Sequence, residues 1–180
     1  NIDKVEFNDE GIFKGEESFE FWFKLIHWED IAIDESELAL ILAEIIKEKK
    51  AIIFNPAYTL MFQSKGFMKI LWDLYPNHPL LLETSFEPLE GKKQVEKRCF
   101  GREGANTKII NEDGSIDVET SGEYEGHKAI YQEYVELNTD SNGVTYQAGV
   151  FYAYEACALG FRRGEKILNN TSKFVGHIVK

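Results

Sequence analysis

Ten residues carry the clearest chemistry in this chain: Lys97-Arg98-Cys99-Phe100-Gly101-Arg102-Glu103-Gly104-Ala105-Asn106. A lysine closes an apparent strand and runs straight into a loop of Gly, Arg, Glu, Gly, Ala and Asn. Glycines expose backbone N–H groups that can wrap a polyphosphate, and a lysine adds a point charge. The order differs from the G-x-x-x-x-G-K-S/T loop, because here the lysine precedes the glycines. Arg102 brings a guanidinium fork and Asn106 an amide, both able to meet phosphate oxygens. Glu103 is a carboxylate in a cationic loop, which suits the Mg²⁺ that bridges phosphates. The competing reading is an ordinary surface β-loop of mixed charge.

Three other positions could serve the same chemistry. Lys65 follows Ser64 and precedes Gly66 at an expected helix start, where anions are attracted. Its plain alternative is a solvated lysine. In Ala129-Ile130-Tyr131-Gln132-Glu133-Tyr134-Val135, two polar residues sit side by side among apolar ones. Adjacent strand residues face opposite ways, so one of Gln132 and Glu133 could enter a purine pocket. The backbone from Glu133 through Tyr134 to Val135 could then bond the base edge. The alternative is an edge strand with two solvated side chains. Arg162-Arg163-Gly164 ends a strand and could hold an anion, or be a solvated basic turn. Lys128 reads as structural.

Other catalytic chemistries find little footing. There is no G-x-S-x-G and no cysteine with a convincing histidine partner. His27, His78, His127 and His177 are scattered, and nothing has C-x-x-C or zinc-ligand spacing. Cys99 and Cys157 suggest reduced thiols in a cytosolic (cytoplasmic) protein. The formal net charge of −11, from 31 acidic and 20 basic residues, repels polyanions and argues against nucleic-acid binding. No apolar run approaches the roughly 20 residues of a membrane span. A 43% hydrophobic content supports a real core in one domain, or part of a larger one. The chain begins with Asn1 and enters at once on Val5-Glu6-Phe7, which reads as a piece of a longer protein.

The elements that must position these residues are legible in outline. Asn8-Asp9-Glu10-Gly11 reads as a turn between short strands. The aromatic run from Phe19 to Ile31 fits a strand leading into a short helix. Asp34-x-x-Glu37 resembles a capping box. Leu38, Ile41, Leu42, Ile45 and Ile46 then predict an amphipathic helix stopping near Lys50. Ala51 to Phe54 predicts a buried strand. A helix is expected from about Ser64 to Leu74, burying Phe67, Leu71 and Leu74. Strands are expected over Leu80 to Thr84 and Gln94 to Cys99. Thr107–Asn111 and Ser115–Glu119 read as a hairpin. Lys128 to Leu137 and Val144 to Leu159 read as a longer pair joined at Asp140-Ser141-Asn142-Gly143. The sum is an α+β domain with a mainly antiparallel sheet and flanking helices.

Together these residues resemble the glutathionylspermidine synthase family, whose catalytic domain has the ATP-grasp architecture. The likeness runs from Asn55-Pro56 through Lys65 to Ile70-Leu71-Trp72-Asp73-Leu74-Tyr75-Pro76. It continues through Lys97, Gly101 to Asn106 and Ile130-Tyr131-Gln132, and ends in Asn170-Thr171-Ser172-Lys173-Phe174-Val175-Gly176-His177-Ile178. It spans nearly the whole chain, in separated blocks that keep order and spacing.

The resemblance implies an ATP-grasp-like fold and an ATP- and Mg²⁺-dependent carboxylate–amine ligase that works through an acyl phosphate. It implies that Lys65 and Lys97 hold the phosphates, and that Gly101, Arg102, Gly104, Ala105 and Asn106 close over them. It implies that adenine is met at Gln132, Glu133 and Tyr134, and that Leu168 and Asn170 border the nucleotide. Arg163 falls where the family has an arginine near the transferred phosphoryl group, with Arg162 as the alternative alignment. The metal role of Glu103 is carried over from a similar Arg-Glu-Gly-Gly loop in eukaryotic-type glutathione synthetases. The partners implied are ATP, a peptide-like carboxylate and an amine, with spermidine as the family's named amine. The chain departs from the family in having Lys97-Arg98 for the usual Lys-Pro. It also lacks, ahead of these blocks, the Arg-x-Asp and Glu-x-Asn-x-Asp elements that the family carries upstream, where they supply metal ligands and a catalytic arginine. It therefore reads as part of such a ligase and inactive alone. The alternative is a non-catalytic nucleotide-binding or regulatory module of the same fold.

Overall fold

The computed structural model describes residues 4–178. The chain divides into two compact units, Asn1–Gln63 and Ser64–Lys180. Among the described residues the fold is mixed, with few helices and pairings that are antiparallel in all but one case.

In the first unit, the Asn8 side-chain oxygen accepts from the Glu10 N–H (2.9 Å) and the Gly11 N–H (3.2 Å). That closes the expected turn between β1 (Glu6–Asn8) and β2 (Gly11–Lys14), and β3 (Glu17–Ser18) completes the sheet. The aromatic run becomes β4 (Phe21–Phe23) and then α1 (Trp28–Asp34). After α2 (Ser36–Lys47), β5 (Ile52–Phe54) returns parallel to β4, with Trp22 opposite Ile53. The two helices supply the crossover that a parallel pair requires. The unit ends in α3 (Thr59–Gln63).

Helical spacing puts Leu42 and Ile45 on one face of α2, and both are fully buried against Ile12, Trp28, Ile31, Ala51 and Ile53. Two expectations need correction. Asp34 does not open a capping box, because it is the last residue of α1. Glu35 precedes α2 without a side-chain cap bond. Only one residue separates the helices, so no free N-cap turn exists there. The strand expected to be buried is buried on one face only, with Ile53 inside and Ile52 and Phe54 exposed.

The second unit opens with α4 (Gly66–Leu74), on which Leu74 is exposed rather than buried. Its strands are β6 (Thr84–Ser85), β7 (Gln94–Arg98), β8 (Lys108–Ile110), β9 (Ile116–Glu119), β10 (Ala129–Glu133), β11 (Thr145–Ala153), β12 (Glu155–Gly164) and β13 (Lys173–Val175). They form a five-stranded sheet in the order β6-β10-β7-β8-β9 and a three-stranded sheet β11-β12-β13. The β8–β9 hairpin forms as its turn residues predict.

The strand expected over Leu80 to Thr84 is short and starts only at Thr84. Residues 128–137 do not pair along their length with residues 144–159. Instead β10 pairs with β6 and β7, and around the Asp140–Gly143 turn the pairing is limited to the Thr139–Thr145 bridge and backbone bonds from Asp140 to Val144 and from Tyr146 to Asn138. The long strand expected from Val144 breaks at Tyr154, giving the β11–β12 hairpin. Tyr154 takes a left-handed φ of 64° and is fully exposed. No Gly, Pro, Asn or Asp marks this reversal, so it has no conventional turn signal.

Among the described residues, no helix is long and apolar enough to cross a membrane.

Candidate functional site

A cavity of about 650 Å³ lies within the second unit, against one face of the five-stranded sheet. Register decides which side chains meet there. Lys97 pairs with Ile130, and Gln132 with Val95 and Thr84. Paired residues and those two apart share a face, so Val95, Lys97, Ile109 and Gln132 line the cavity together. Arg98 borders the cavity at the end of β7, but its guanidinium meets Glu96, on the other face of the strand, at 3.2 Å. The departure at Lys97-Arg98 thus leaves Lys97 itself aligned with the cavity.

Lys65 reaches the same cavity because α4 is tied to the end of β7. Its backbone N–H donates to the Cys99 carbonyl (2.8 Å), and its ammonium donates to the Gly101 carbonyl. The first-turn N–H groups of Gly66, Phe67 and Met68 bond Ser64 and Lys65. The contribution of this helix start to the cavity is the lysine charge rather than open backbone donors. Burial lowers the proton affinity of Lys65. For Lys97, burial and the nearby Lys65 charge together lower it to about 8. Two ammonium groups crowded into one half-buried cavity are poorly compensated by the protein, and an anion would relieve both.

Gly101, Arg102, Glu103, Gly104 and Ala105 form the adjoining wall. Gly104 has a φ of +71°, and a Cβ there would lie 2.4 Å from the Leu168 carbonyl oxygen. The loop can therefore approach Ile167 and Leu168 only with glycine at this position. Thr120 holds the loop from behind, donating to the Gly104 carbonyl at 2.5 Å. A Cβ on Gly122 would meet the Ala105 Cβ at 2.5 Å, so this glycine too permits a close approach.

The remaining expected residues divide. Glu133, Tyr134 and Leu168 line the cavity. The N–H groups of Glu133 and Tyr134 donate to the Glu83 and Lys93 carbonyls (2.9 and 3.0 Å). A base edge there would have to use other groups between Glu133 and Leu137. The Gln132 amide is engaged at both ends, accepting from Lys97 (2.8 Å) and donating to Thr84 (3.1 Å). The Asn106 side chain accepts from the Tyr124 N–H (2.8 Å), which braces the loop rather than facing the cavity.

Arg163 and Asn170 are not among the cavity residues. Arg163 sits opposite Tyr146 on β11 and lines a separate shallow cleft of about 420 Å³. Arg162, opposite Gln147, shares the cavity face. It donates to the Asn169 carbonyl at 2.7 Å, and its Nε is buried without a hydrogen-bond partner. Lys128 lies 3.9 Å from the Phe86 ring centroid and is not among the cavity residues.

Sequence reasoning missed Lys166, which lines the cavity and pairs with Asp117. Its partner is 49 residues away, and no local signal marks it. Thr84 was also missed, because a single threonine in a short strand carries no motif.

Among the described residues no cluster of three or more His, Cys, Asp or Glu could hold a metal alone. Glu103 is the loop carboxylate on the cavity wall, and Glu133 and Glu136 also line it. Mg²⁺ takes one or two carboxylates together with phosphate oxygens and water, so this donor set fits a metal brought with a phosphate ligand. Both cysteines are free thiols, Cys99 buried and Cys157 exposed.

Comparison with known proteins adds to this geometry. The chain is 29% identical over 133 residues to a Haemophilus influenzae protein provisionally designated an acid–amine ligase, covering 68% of this chain and 34% of that one. It is 30% identical over 95 residues to the bifunctional glutathionylspermidine synthetase/amidase of Escherichia coli (51% and 15%). With the trypanothione synthetase of Crithidia fasciculata it shares 24% over 125 residues (68% and 19%). It therefore spans 15–34% of the length of these relatives. The family model described as glutathionylspermidine synthase preATP-grasp matches residues 1–180. The chain belongs to the glutathionylspermidine synthase preATP-grasp family.

Proposed function

We propose that this chain forms the nucleotide-facing part of an ATP-dependent carboxylate–amine ligase with ATP-grasp architecture. The observation that carries this reading is the pair Lys65 and Lys97, brought into one cavity beside a glycine-bearing loop. The cavity volume lies within the range of small-molecule and cofactor sites. Lys65 and Lys97 hold the phosphates, the loop from Gly101 to Asn106 covers them, and the base lies toward Glu133 and Tyr134. Glu103 would hold a Mg²⁺ brought with the phosphates, and that ion would offset part of their negative charge.

The reaction proceeds in two displacements. A carboxylate oxygen of a peptide-like acid attacks the γ-phosphorus of ATP, ADP leaves, and an acyl phosphate forms. The amine nitrogen then attacks the acyl carbon, orthophosphate leaves, and the nitrogen gives up a proton. Phosphoryl transfer needs positioning and charge neutralisation more than covalent help, and this is what two lysines and a closing loop supply. Exclusion of water by the loop protects the acyl phosphate from hydrolysis. Arg162 is better supported than Arg163 as the arginine near the transferred group, because it shares the cavity face.

The second reading is a non-catalytic module of the same fold that keeps nucleotide. Both readings expect the 180-residue chain to bind MgATP weakly and not to turn over. They differ in the longer protein, which is a ligase only on the first. Calorimetric titration of MgATP into the chain tests the site. Saturable binding is expected, lost in Lys97→Ala and Lys65→Ala without unfolding. Equal binding by all three proteins would end the nucleotide reading. Robust ligase activity from this chain alone would show that the catalytic set is complete within it.

A further inference from the structure

The sheet face under the cavity holds a buried polar row across three strands. Thr84 on β6 is 1% exposed, and Gln132 on β10 is 8% exposed. The Thr84 hydroxyl donates to the Leu82 carbonyl at 3.0 Å, which leaves its lone pairs to receive the Gln132 amide N–H at 3.1 Å. The Gln132 oxygen then accepts from Lys97 on β7 at 2.8 Å. An ammonium can only donate, and a hydroxyl committed to a carbonyl can only accept. The two ends of the row therefore fix which way round the amide lies. A reversed amide would set its NH₂ against the ammonium and its oxygen against the oxygen of a hydroxyl already donating elsewhere.

We propose that Thr84 is a positioning residue: acting through the fixed amide of Gln132, it holds one N–H of the Lys97 ammonium and leaves the other two for an anion in the cavity. Gln132 thereby serves the phosphate end of the site as a lysine holder. The link to a nucleotide rests on the functional reading above, whereas the relay itself does not. The other charged groups around Lys97 are the cations Lys65, Arg102, Arg162 and Lys166, with Arg98 paired to Glu96, and the carboxylates Glu103, Glu133 and Glu136. Of these, the Lys65 charge lowers the proton affinity of Lys97, adding to the effect of burial.

The test reads Lys97 directly and without nucleotide. The chain is labelled with carbon-13 at the lysine Cε, Lys97 is assigned with Lys97→Arg, and its resonance is followed against pH. A hydrogen bond from the ammonium to a fixed carbonyl favours the charged form. Thr84→Val and Thr84→Ala keep the space apolar and free the amide, so the Lys97 midpoint should fall by about half to one pH unit. Thr84→Ser keeps the hydroxyl and should titrate as wild type. Gln132→Glu puts a carboxylate beside the ammonium and should raise the midpoint, and it carries the test if the threonine variants fail to fold. A purely structural role for Thr84 would lower thermal stability and leave the midpoint in place. That result in a folded Val or Ala variant overturns the proposal, as does an equal fall in Thr84→Ser or no rise in Gln132→Glu. MgATP titration is a separate arm. A midpoint that moves as expected in a chain that binds no MgATP upholds the relay and counts against the nucleotide reading alone.

Discussion

At the scale of single residues, Lys97 carries a cost that an anion in the cavity would offset. Its ammonium sits half-buried beside Lys65, and its proton affinity falls from the ordinary 10.5 to about 8. Between these values the unfolded chain keeps a proton that the folded chain has lost. Stability should therefore rise as pH increases from about 8 to 10.5, and below pH 8 the full cost of the charge is present. Lys97→Met removes that charge and keeps the length of the side chain. At pH 7 it should stabilise the fold by on the order of 1–2 kcal/mol, with the gain shrinking toward pH 10. Urea unfolding of both proteins at the two pH values measures this. A Met variant less stable at pH 7 would mean that the contact with Gln132 already compensates the charge. Binding runs the opposite way, because an anion needs the ammonium, and affinity should weaken above about pH 8.

At the scale of elements, strand register decides which side chains become site residues. Arg162 and Arg163 are adjacent, and β12 sends them to opposite faces, Arg162 with Gln147 and Arg163 with Tyr146. Arg162→Met is expected to weaken MgATP binding by about tenfold, the scale of one charge-assisted hydrogen bond. Arg163→Met should leave it within about twofold. The reverse pattern would mean that β12 pairs one residue out of the register described. The two arginines also mark the limit of what the sequence could say. The glycine loop, Lys65 and Lys97 were legible because residue type and local spacing carry their chemistry. The α2 core face was legible from its helical period, and the β8–β9 hairpin from its turn residues. The choice between Arg162 and Arg163 depends on a pairing set across the sheet, which no local pattern encodes. The break at Tyr154 was hidden for a related reason, since the turn uses a residue that normally avoids left-handed backbone. Gln132 was read as a base contact because the partners of its amide, Thr84 and Lys97, lie 48 and 35 residues away.

At the scale of the whole molecule, exposed apolar surface stands out in each unit. In the first, Phe21 pairs with Ile52 and Phe23 with Phe54, and all four side chains are exposed on one face of a parallel pair. Parallel strands are ordinarily covered on both faces. In the second, Val150, Phe151, Tyr152 and Leu159 are exposed along the β11–β12 hairpin. Such surface favours contact with other apolar surface, whereas a net charge of −11 keeps copies of the chain apart. Salt screens the second force and leaves the first, so the two can be separated. The 180-residue chain should sediment as a monomer at low ionic strength and shift toward larger species as salt is added. Val150→Lys with Tyr152→Lys lowers the net negative charge, so repulsion alone would make that variant associate more readily. If the hairpin is the contact, the variant will instead stay monomeric at higher salt than the wild type. Association that rises in the variant would assign the effect to charge rather than to the hairpin. A wild type that stays monomeric across the whole salt range would show that these faces are too small to hold two copies together.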